Sequence, residues 1–590
     1  MRLERAIQIC EDEIEKAKMN KKIFLAVIFL AGATVLSAQV TVDPNLDFYE
    51  SAREWQVRGY VDFLPQMSPY PAAVIKNILD EVIENGRETD AEKAQYYYEK
   101  YFGKKWHVAL EAGAQVKLSG GGEDWNKKFV YGEPSFFGDL DFLPWLTLGY
   151  DLGLNLHNNS TESREMLRAF RNDPLDTWGD AAELGPLDGN WDMIAGLALG
   201  TEKISGMLAS NRMGFGNVFG HDSIILNPNS YHMANFLFNY AGEKVQYSQS
   251  ISQIAASNFK NDYAANKFLA FHSIRFTPIK QLAISYYEAA IFGERFDPSY
   301  LIPAPFILLQ GMFDAGDNDI YGLQFECRPF DGFEAALSFA IDDISVDDWA
   351  KGDFDSKFKA ALQTGIVYTP KSDFCNMISL DYTLVLPYMY SHWLNSPSKT
   401  YGIDKTSYNY QNYTNRGICI GSSLPPNSDR FHFEIHFEPV KRLKLNVFTD
   451  FARHANETES WSDEEVIAHN TKFQGFDNSG GAETDPYPTS VQERNTFMKQ
   501  KHKMYIVQLG FDSSYEFFRN KAGALSLNFG YTFEYIHNAG VDTAIFKDTV
   551  HKKNDGTVII EDIAAARKAW AEKLHDEFNN YFSLSVKYVY

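Results

Sequence analysis

The chain has 590 residues and a formal net charge of −23 at pH 7. This acidity argues against a nucleic-acid partner, because phosphate backbones attract basic surfaces. Aromatic residues make up 15% of the chain, which suits a membrane β-barrel, where rings of aromatic side chains lie at both bilayer interfaces. A large soluble β protein can be equally rich in aromatic residues, so composition leaves both classes open.

The N-terminal segment indicates export. "MNKKIFLAVIFLAGATVLSAQV" begins at Met19 and holds two lysines, the apolar core Ile23–Leu36, and a small-residue site ending at Ala38. This pattern predicts that residues 1–38 are a leader and signal peptide, with the true start at Met19 and cleavage after Ala38. A retained signal anchor is the alternative. No later stretch approaches the ~20 apolar residues that a transmembrane helix needs.

Residues 39–105 predict a helical segment in the periplasm. "DFYESAREWQVRG" favours a short helix that ends at Gly59. "SPYPAAVIKNILDEVIENG" places an apolar stripe at helical spacing, with Ser68 as the expected N-cap, Pro69 at the first helical position and Gly86 as the stop. A third helix follows in "TDAEKAQYYYEKYF". We expect these helices to pack against the rim or lumen of a barrel; a separate soluble domain is the alternative.

From residue 106 to the end, apolar and polar side chains alternate with the period of two that is typical of strands. The pattern predicts eighteen strands, an even number, as in single-chain outer-membrane barrels. The predicted strands are 106–118, 136–142, 145–157, 191–200, 204–216, 235–241, 245–256, 265–276, 281–292, 321–328, 333–341, 358–369, 376–390, 429–438, 442–452, 503–512, 523–535 and 581–590.

The links between these strands alternate in length. Every second link is short, as in "EPVKR", "TPIKQ" and "TEK". The links between them are long, and we expect external loops at 158–190, 293–320, 391–428, 453–502 and 536–580. Short periplasmic turns opposite long external loops are the pattern of outer-membrane barrels. The predicted fold class is therefore an all-β transmembrane barrel of about 18 antiparallel strands, spanning 106–590 in the outer membrane of a Gram-negative-type envelope.

The last strand, "NNYFSLSVKYVY", alternates up to Tyr590. A strand at the edge of a sheet leaves backbone groups unpaired, which closure of the sheet into a barrel removes. We therefore expect this strand to pair with the first one. Tyr590 resembles the aromatic terminal signal of outer-membrane proteins, which implies the barrel-assembly machinery as a partner. Outer-membrane lipid is the second expected partner, and the barrel is expected to be a monomer.

Four stretches resemble the capsule assembly Wzi family of outer-membrane barrels. They are the helical segment Phe48–Phe102, "NRMGFGNVFGHDSIILNPNS" at Asn211–Ser230, "GERFDPSYLIPAPF" at Gly293–Phe306, and "LSFAIDDI" at Leu337–Ile344. The resemblance implies an eighteen-stranded barrel with a periplasmic helical bundle. It also implies a lectin-like role in holding capsular polysaccharide at the cell surface. Arg212 and Asn227 are candidate glycan contacts only because they lie in the second of these stretches.

The link 391–428 is the best candidate for a recognition surface. Its aromatic residues are interleaved with asparagines, and flat rings take the apolar faces of sugars while amides pair with hydroxyls. The predicted glycan-binding aromatics are Trp393, Tyr401, Tyr408, Tyr410 and Tyr413. The same composition suits a loop that packs against its own rim, so both interpretations stay open at this point.

One strand carries four titratable side chains on a single face: His432, Glu434, His436 and Glu438. We expect them to form a charged lumen wall. A metal site would need ligands from a neighbouring strand as well, so neither a metal nor a cofactor is predicted. The three cysteines that follow the leader, Cys327, Cys375 and Cys419, form no metal or disulfide spacing.

No catalytic motif stands out in the sequence, so an enzyme is not expected. The favoured hypothesis is an outer-membrane barrel that binds or anchors surface polysaccharide, capsular or exo-, and assists its assembly. A porin or solute channel is the alternative, since eighteen strands can leave an aqueous lumen. A purely structural or adhesive surface protein comes third. The anchor and the channel hypotheses would be distinguished by whether loops or helices block the pore.

Overall fold

The computed structural model describes most of the chain after residue 46. The described residues are 47–121, 126–143, 145–158, 166–171, 182–185, 187–216, 219–257, 263–313, 316–353, 356–392, 408–472, 494–520, 522–546, 550–552, 558–560 and 562–590. The predicted signal peptide and its cleavage site after Ala38 lie outside these residues.

Eighteen antiparallel strands close into a barrel, as the alternation predicts. They are β1 Trp106–Gly120, β2 Asn126–Leu143, β3 Leu146–His157, β4 Leu187–Gly200, β5 Ile204–Asn211, β6 Met233–Ala241, β7 Val245–Ser257, β8 Tyr263–Ile279, β9 Leu282–Gly293, β10 Asn318–Phe330, β11 Phe333–Ile344, β12 Phe358–Tyr368, β13 Cys375–Val385, β14 Ser428–Val440, β15 Leu443–His454, β16 Met504–Asn520, β17 Gly523–Ala539 and β18 His575–Val589. A short strand, Ala182–Leu184, pairs with the start of β4.

The seam of the barrel lies between its first and last strands. β18 pairs with β1 in a continuous antiparallel register that runs from Ala109 opposite Val589 to Gly120 opposite Phe578. The expectation that the C-terminal strand closes the sheet is therefore confirmed. The strands are longer at several ends than the predicted ones, most clearly in β2. Its start holds Gly132 and Pro134, which interrupt the local pattern, but β1 pairs with β2 without a break from Asn126 to Gly138.

The outer wall of the barrel is apolar. Mid-strand side chains point outward and are exposed, among them Leu110, Leu208, Leu323, Ile366, Leu380, Leu509 and Leu584. Exposed aromatic side chains gather where strands meet the short links: Trp106, Phe142, Tyr240, Phe276, Phe330, Tyr368, Phe374, Phe517 and Tyr590. An apolar band bordered by aromatic rings is what a bilayer requires of a barrel surface.

The two ends of the barrel differ, and we call them the turn end and the loop end. At the turn end the links are short: 144–145, 201–203, 242–244, 280–281, 331–332, 369–374, 441–442 and 521–522. At the loop end the longest links are 158–186, 212–232, 294–317, 386–427, 455–503 and 540–574. The alternation of short and long links is present, but the long link 212–232 was not predicted, because the predicted strand 204–216 ends at Asn211. The placement of the turn end in the periplasm stays a prediction.

Three helices precede the barrel: α1 Asp47–Arg58, α2 Ala72–Asn85 and α3 Glu88–Phe102. We call residues 47–102 the helical plug. α1 ends as predicted at Gly59, whose φ of +80° is a conformation that glycine adopts without strain. The helices share a core of large side chains: Phe48, Trp55, Ile75, Leu79, Val82 and Tyr97.

The predicted start of α2 is wrong. The helix begins at Ala72 with Pro71 as its N-cap, rather than at Pro69 after Ser68. Ser68 belongs instead to a two-residue strand, Met67–Ser68, which pairs with Gly214–Phe215. A tertiary pairing has therefore replaced the local capping role that the sequence suggests.

The helical plug docks on the inner wall of the barrel at the turn end. Gln56 Nε2 donates a 2.9 Å hydrogen bond to Glu334 of β11. Arg58 donates a 3.1 Å bond to the carbonyl oxygen of Asn376 in β13. These buried contacts exclude the alternative of a separate soluble helical domain. None of the described helices is both long and apolar enough to cross a membrane.

Two loop-end links fold inward to meet the plug. In the link 212–232, the backbone N–H of Asn227 donates to the carbonyl oxygen of Ile420, which belongs to the link 386–427. Both links contribute to one buried cluster with the barrel wall, which includes Met213, Phe215, Ile225, Leu226, Phe271, Tyr287, Tyr390, Tyr413 and Ile420. Apolar packing thus fills this side of the lumen.

Candidate functional site in the lumen

Asp222 is the polar centre of the inward-folded links. Its buried carboxylate accepts hydrogen bonds from Asn227 Nδ2 at 2.7 Å and from Arg430 Nη2 of β14 at 2.9 Å. Ser422 and Ser423 of the second link donate to the same carboxylate. One side chain therefore fastens both links to the wall, and the guanidinium of Arg430 compensates its charge.

A charged cavity remains between these links and the strands β14–β16. Its volume is ≈ 590 Å³, and its charged lining includes Glu50, Arg53, Arg168, Arg171, Asp222, Arg430, His432, Glu434, His436, Asp450 and Asp512. Arg168 comes from the loop-end link 158–186 and lies 4.3 Å from the ring centroid of Phe448. Burial lowers the pKa of Arg168 to about 10, which leaves the guanidinium charged at neutral pH. The cavity therefore presents both signs of charge to any solute that it admits.

The predicted lumen wall takes part in this cavity. His432, Glu434 and His436 are buried on the inner face of β14, whereas the preceding residue Phe431 points outward. Glu438 lies at the turn end and is partly exposed. The four side chains thus follow one face, and the plug covers the part of it near His436.

His436 joins the plug to the wall. Its Nδ1 lies 2.6 Å from Glu50 of α1, and its Nε2 lies 3.0 Å from Glu434. Burial opposes ionisation of Glu50, but the charge and hydrogen bond of His436 outweigh this effect and lower the pKa of Glu50. Glu50 therefore stays ionised at neutral pH and anchors α1 to β14.

The predicted glycan-binding residues are spread over different environments. Asn227 is buried and committed to Asp222. Arg212, just after β5, is half-buried, and Tyr408 is likewise half-buried at the loop end. Trp393 and Tyr401 lie outside the described residues. A glycan role for Arg212, Asn227 and Tyr408 stays a prediction.

Tyr410 and Tyr413 are buried in the folded link. The hydroxyl of Tyr413 donates a 2.7 Å hydrogen bond to the carbonyl oxygen of Ile225, and the ring of Tyr410 packs against Gly293. For these two residues the structure shows the alternative, a loop packed against its own barrel. A sugar cannot stack on either ring while the link keeps this conformation.

Several residues of this site were not identified from sequence. Arg430 lies on the same alternating face as His432, so the period of two could have found it. Asp381 and Asp450 lie directly opposite His432 on the neighbouring strands. That relation depends on strand register, which the local sequence of β14 does not contain.

The closed sheet, apolar outer wall and even strand number define a transmembrane β-barrel of the outer-membrane type. No family model and no curated protein matches the chain. Among solved structures, the barrel is similar to Wzi of Escherichia coli, an outer-membrane carbohydrate-binding β-barrel involved in group 1 capsule assembly. The two chains share 11% identity and a TM-score of 0.48, over 93% of this chain and 99% of Wzi.

Other outer-membrane barrels are similar as well. The outer membrane protein OprD of Pseudomonas aeruginosa shares 11% identity at a TM-score of 0.39, over 82% of this chain and 94% of OprD. OccAB4 of Acinetobacter baumannii shares 9% identity at the same TM-score, over 82% of this chain and 98% of OccAB4. At these identities the likeness concerns the fold alone.

Proposed function

We propose that this chain is a non-enzymatic outer-membrane barrel that binds or anchors surface polysaccharide, capsular or exo-, and assists its assembly. The observation that carries the proposal is that the helical plug and the inward-folded links pack together inside the barrel. The pairing of Met67–Ser68 with Gly214–Phe215 joins the plug from the turn end to a link from the loop end. A barrel whose interior is occupied in this way is suited to holding a ligand at its rim rather than to passing solutes.

In this proposal the loop end faces the cell exterior. The long links there provide the accessible surface, and loops on a rigid scaffold are where binding residues concentrate. Tyr408 and Arg212, which are half-buried at this end, are the described candidates for contact with sugar. Glycan contact by Asn227 would require the link 212–232 to rearrange, because its side chain is engaged by Asp222.

A solute channel is the second candidate, and the charged cavity of ≈ 590 Å³ favours it. A cavity with both signs of charge resembles a segment of a polar conduit. Passage through the membrane would require the plug or the inward-folded links to move. The two proposals therefore differ in whether these elements stay docked.

Single-channel conductance separates the two candidates. The chain 39–590 would be refolded, checked by its heat-dependent migration in a gel, and inserted into a planar bilayer. A folded, inserted and silent barrel supports the anchor, whereas stable nanosiemens-scale steps contradict it and favour the channel.

Retention of surface polysaccharide in a deletion strain then tests the binding role. Complementation with Tyr408→Ala is expected to retain several-fold less polysaccharide than wild type. Tyr368→Ala provides the matched control, because Tyr368 is an exposed aromatic of the outer wall at the turn end. Equal retention by wild type, both variants and the empty strain would contradict polysaccharide binding.

A further inference from the structure

Three potential metal ligands converge beside the charged cavity. The imidazole nitrogens of His221 and His432 and a carboxylate oxygen of Asp381 all lie within 4.8 Å of one another. His221 belongs to the inward-folded link 212–232, whereas Asp381 and His432 face each other across β13 and β14. A loop and two adjacent strands therefore supply the cluster.

The three atoms lack the partners that buried polar atoms normally have. His221 Nε2, Asp381 Oδ2 and His432 Nε2 are each buried without a hydrogen bond from the described residues. Asp381 is 2% exposed and His432 is 6% exposed. An unsatisfied buried polar group costs about 1–3 kcal/mol, so three such atoms within 4.8 Å of one another favour a missing common partner.

The spacing of the cluster fits a small divalent ion. His221 Nε2 lies 3.4 Å from Asp381 Oδ2. Two ligands that each sit about 2.1 Å from a tetrahedral zinc ion are about 3.4 Å apart. This separation is longer than a normal hydrogen bond, so direct pairing does not explain it.

A second carboxylate sets the tautomer of His432. Its Nδ1 lies 2.7 Å from Asp450 Oδ1 on β15. An ionised carboxylate can only accept, so Nδ1 carries a proton, and the neutral form of His432 offers Nε2 as its ligand atom. Metal-binding histidines commonly hold their second ring nitrogen against a carboxylate in this manner.

The neighbouring cluster of Glu50, Glu54 and His436 differs in this respect. His436 contacts Glu50 at 2.6 Å and Glu434 at 3.0 Å. Glu50 and His436 therefore form a close ion pair, whereas His221 and Asp381 of the first cluster are 3.4 Å apart.

We propose that His221, Asp381 and His432 bind a divalent transition-metal ion, with Zn²⁺ the best match to two imidazoles and one carboxylate. The fourth position is open to water from the cavity. Because His221 belongs to an inward-folded link and the other two ligands to the wall, the ion joins the link to the barrel. This site does not depend on the proposed polysaccharide role.

Calorimetric titration of the refolded, chelator-treated chain 39–590 with ZnCl₂ tests the site. We expect one ion per chain, and binding at least ten-fold weaker in His221→Ala and in Asp381→Asn. His537→Ala is the matched control, because His537 also contacts a carboxylate, Asp576, but lies exposed near the loop end. It is expected to bind zinc as wild type does.

A stability measurement provides the second readout. Zinc is expected to raise the melting temperature of wild type and of His537→Ala, but not that of His221→Ala, while MgCl₂ raises none of them. Heat-dependent gel migration would establish that each variant is folded. Absence of zinc binding by the folded wild-type chain, or equal binding by the folded His221→Ala variant, would overturn the proposal.

Discussion

Replacing Arg328 with alanine tests how the helical plug is held. The buried guanidinium extends from β10 toward the plug, and its Nη1 donates to the carbonyl oxygens of Gln56 at 2.8 Å and Val61 at 3.2 Å. The same group lies 3.9 Å from the ring centroid of Phe63. Arg328→Ala removes all three contacts and leaves two buried carbonyl groups without these donors.

The expected loss is large. Hydrogen bonds that involve a charged group are worth about 1.5–3 kcal/mol each, and a desolvated cation–π contact about 2 kcal/mol. Because neighbouring contacts are not additive, we expect docking of the plug to weaken by about 3–5 kcal/mol. This corresponds to a rise of roughly two to four orders of magnitude in the local opening equilibrium around Gln56–Phe63.

Hydrogen exchange of backbone amides in the refolded barrel measures this opening. Amides in residues 56–64 are expected to lose protection in Arg328→Ala, while amides in the strands β14–β16 keep theirs. Arg453→Ala is the control, because Arg453 pairs with Asp429 on the barrel rather than with the plug. Unchanged exchange of 56–64 in a folded Arg328→Ala variant would refute the reasoning.

Two further predictions concern the loop end. Burial raises the pKa of Glu457 to about 8 despite hydrogen bonds from Thr496 and Gln500, so the folded chain keeps a proton that the unfolded chain releases near pH 4.5. Wild type should therefore lose up to about 4 kcal/mol of stability between pH 5 and 8. Denaturant titrations over this range should show a weaker pH dependence of the free energy of unfolding for Glu457→Gln. An equal pH dependence for both proteins would contradict this prediction. Lys267 donates a 2.8 Å bond to the carbonyl oxygen of Thr414, and Lys267→Met should weaken packing of the link 386–427 by roughly 2–4 kcal/mol. Limited proteolysis should then cut that link faster than in wild type, and an equal rate would contradict the contact's role.

The barrel was predictable because a closed sheet repeats one physical rule along the whole chain. Outward Phe431 and inward His432 follow directly from the period of two, since one face meets lipid and the other the lumen. The rule fails where a neighbouring strand outweighs local propensity. Gly132 and Pro134 predict a break in the strand. β2 nevertheless continues through both, because the neighbouring strand β1 presents its backbone hydrogen-bonding groups along this stretch.

The interior was predictable only in part. The charged face of β14 is visible in the sequence, but its partners Asp381 and Asp450 depend on register, and His221 depends on how a long link folds. Ser68 shows the same limit, because its pairing partner Gly214 lies far along the chain. Local patterns contain no information about such distant contacts, so the cluster beside the cavity emerges only from the three-dimensional arrangement.

The short pairing between Met67–Ser68 and Gly214–Phe215 has a mechanical consequence. One strand belongs to the segment before the barrel, and the other to a link that starts at the opposite rim. The two rims are therefore connected through the interior as well as through the wall. A ligand that draws the link outward must either break this pairing or pull on the residues that lead from α1 to α2, so force applied at one mouth of the barrel is transmitted to the other.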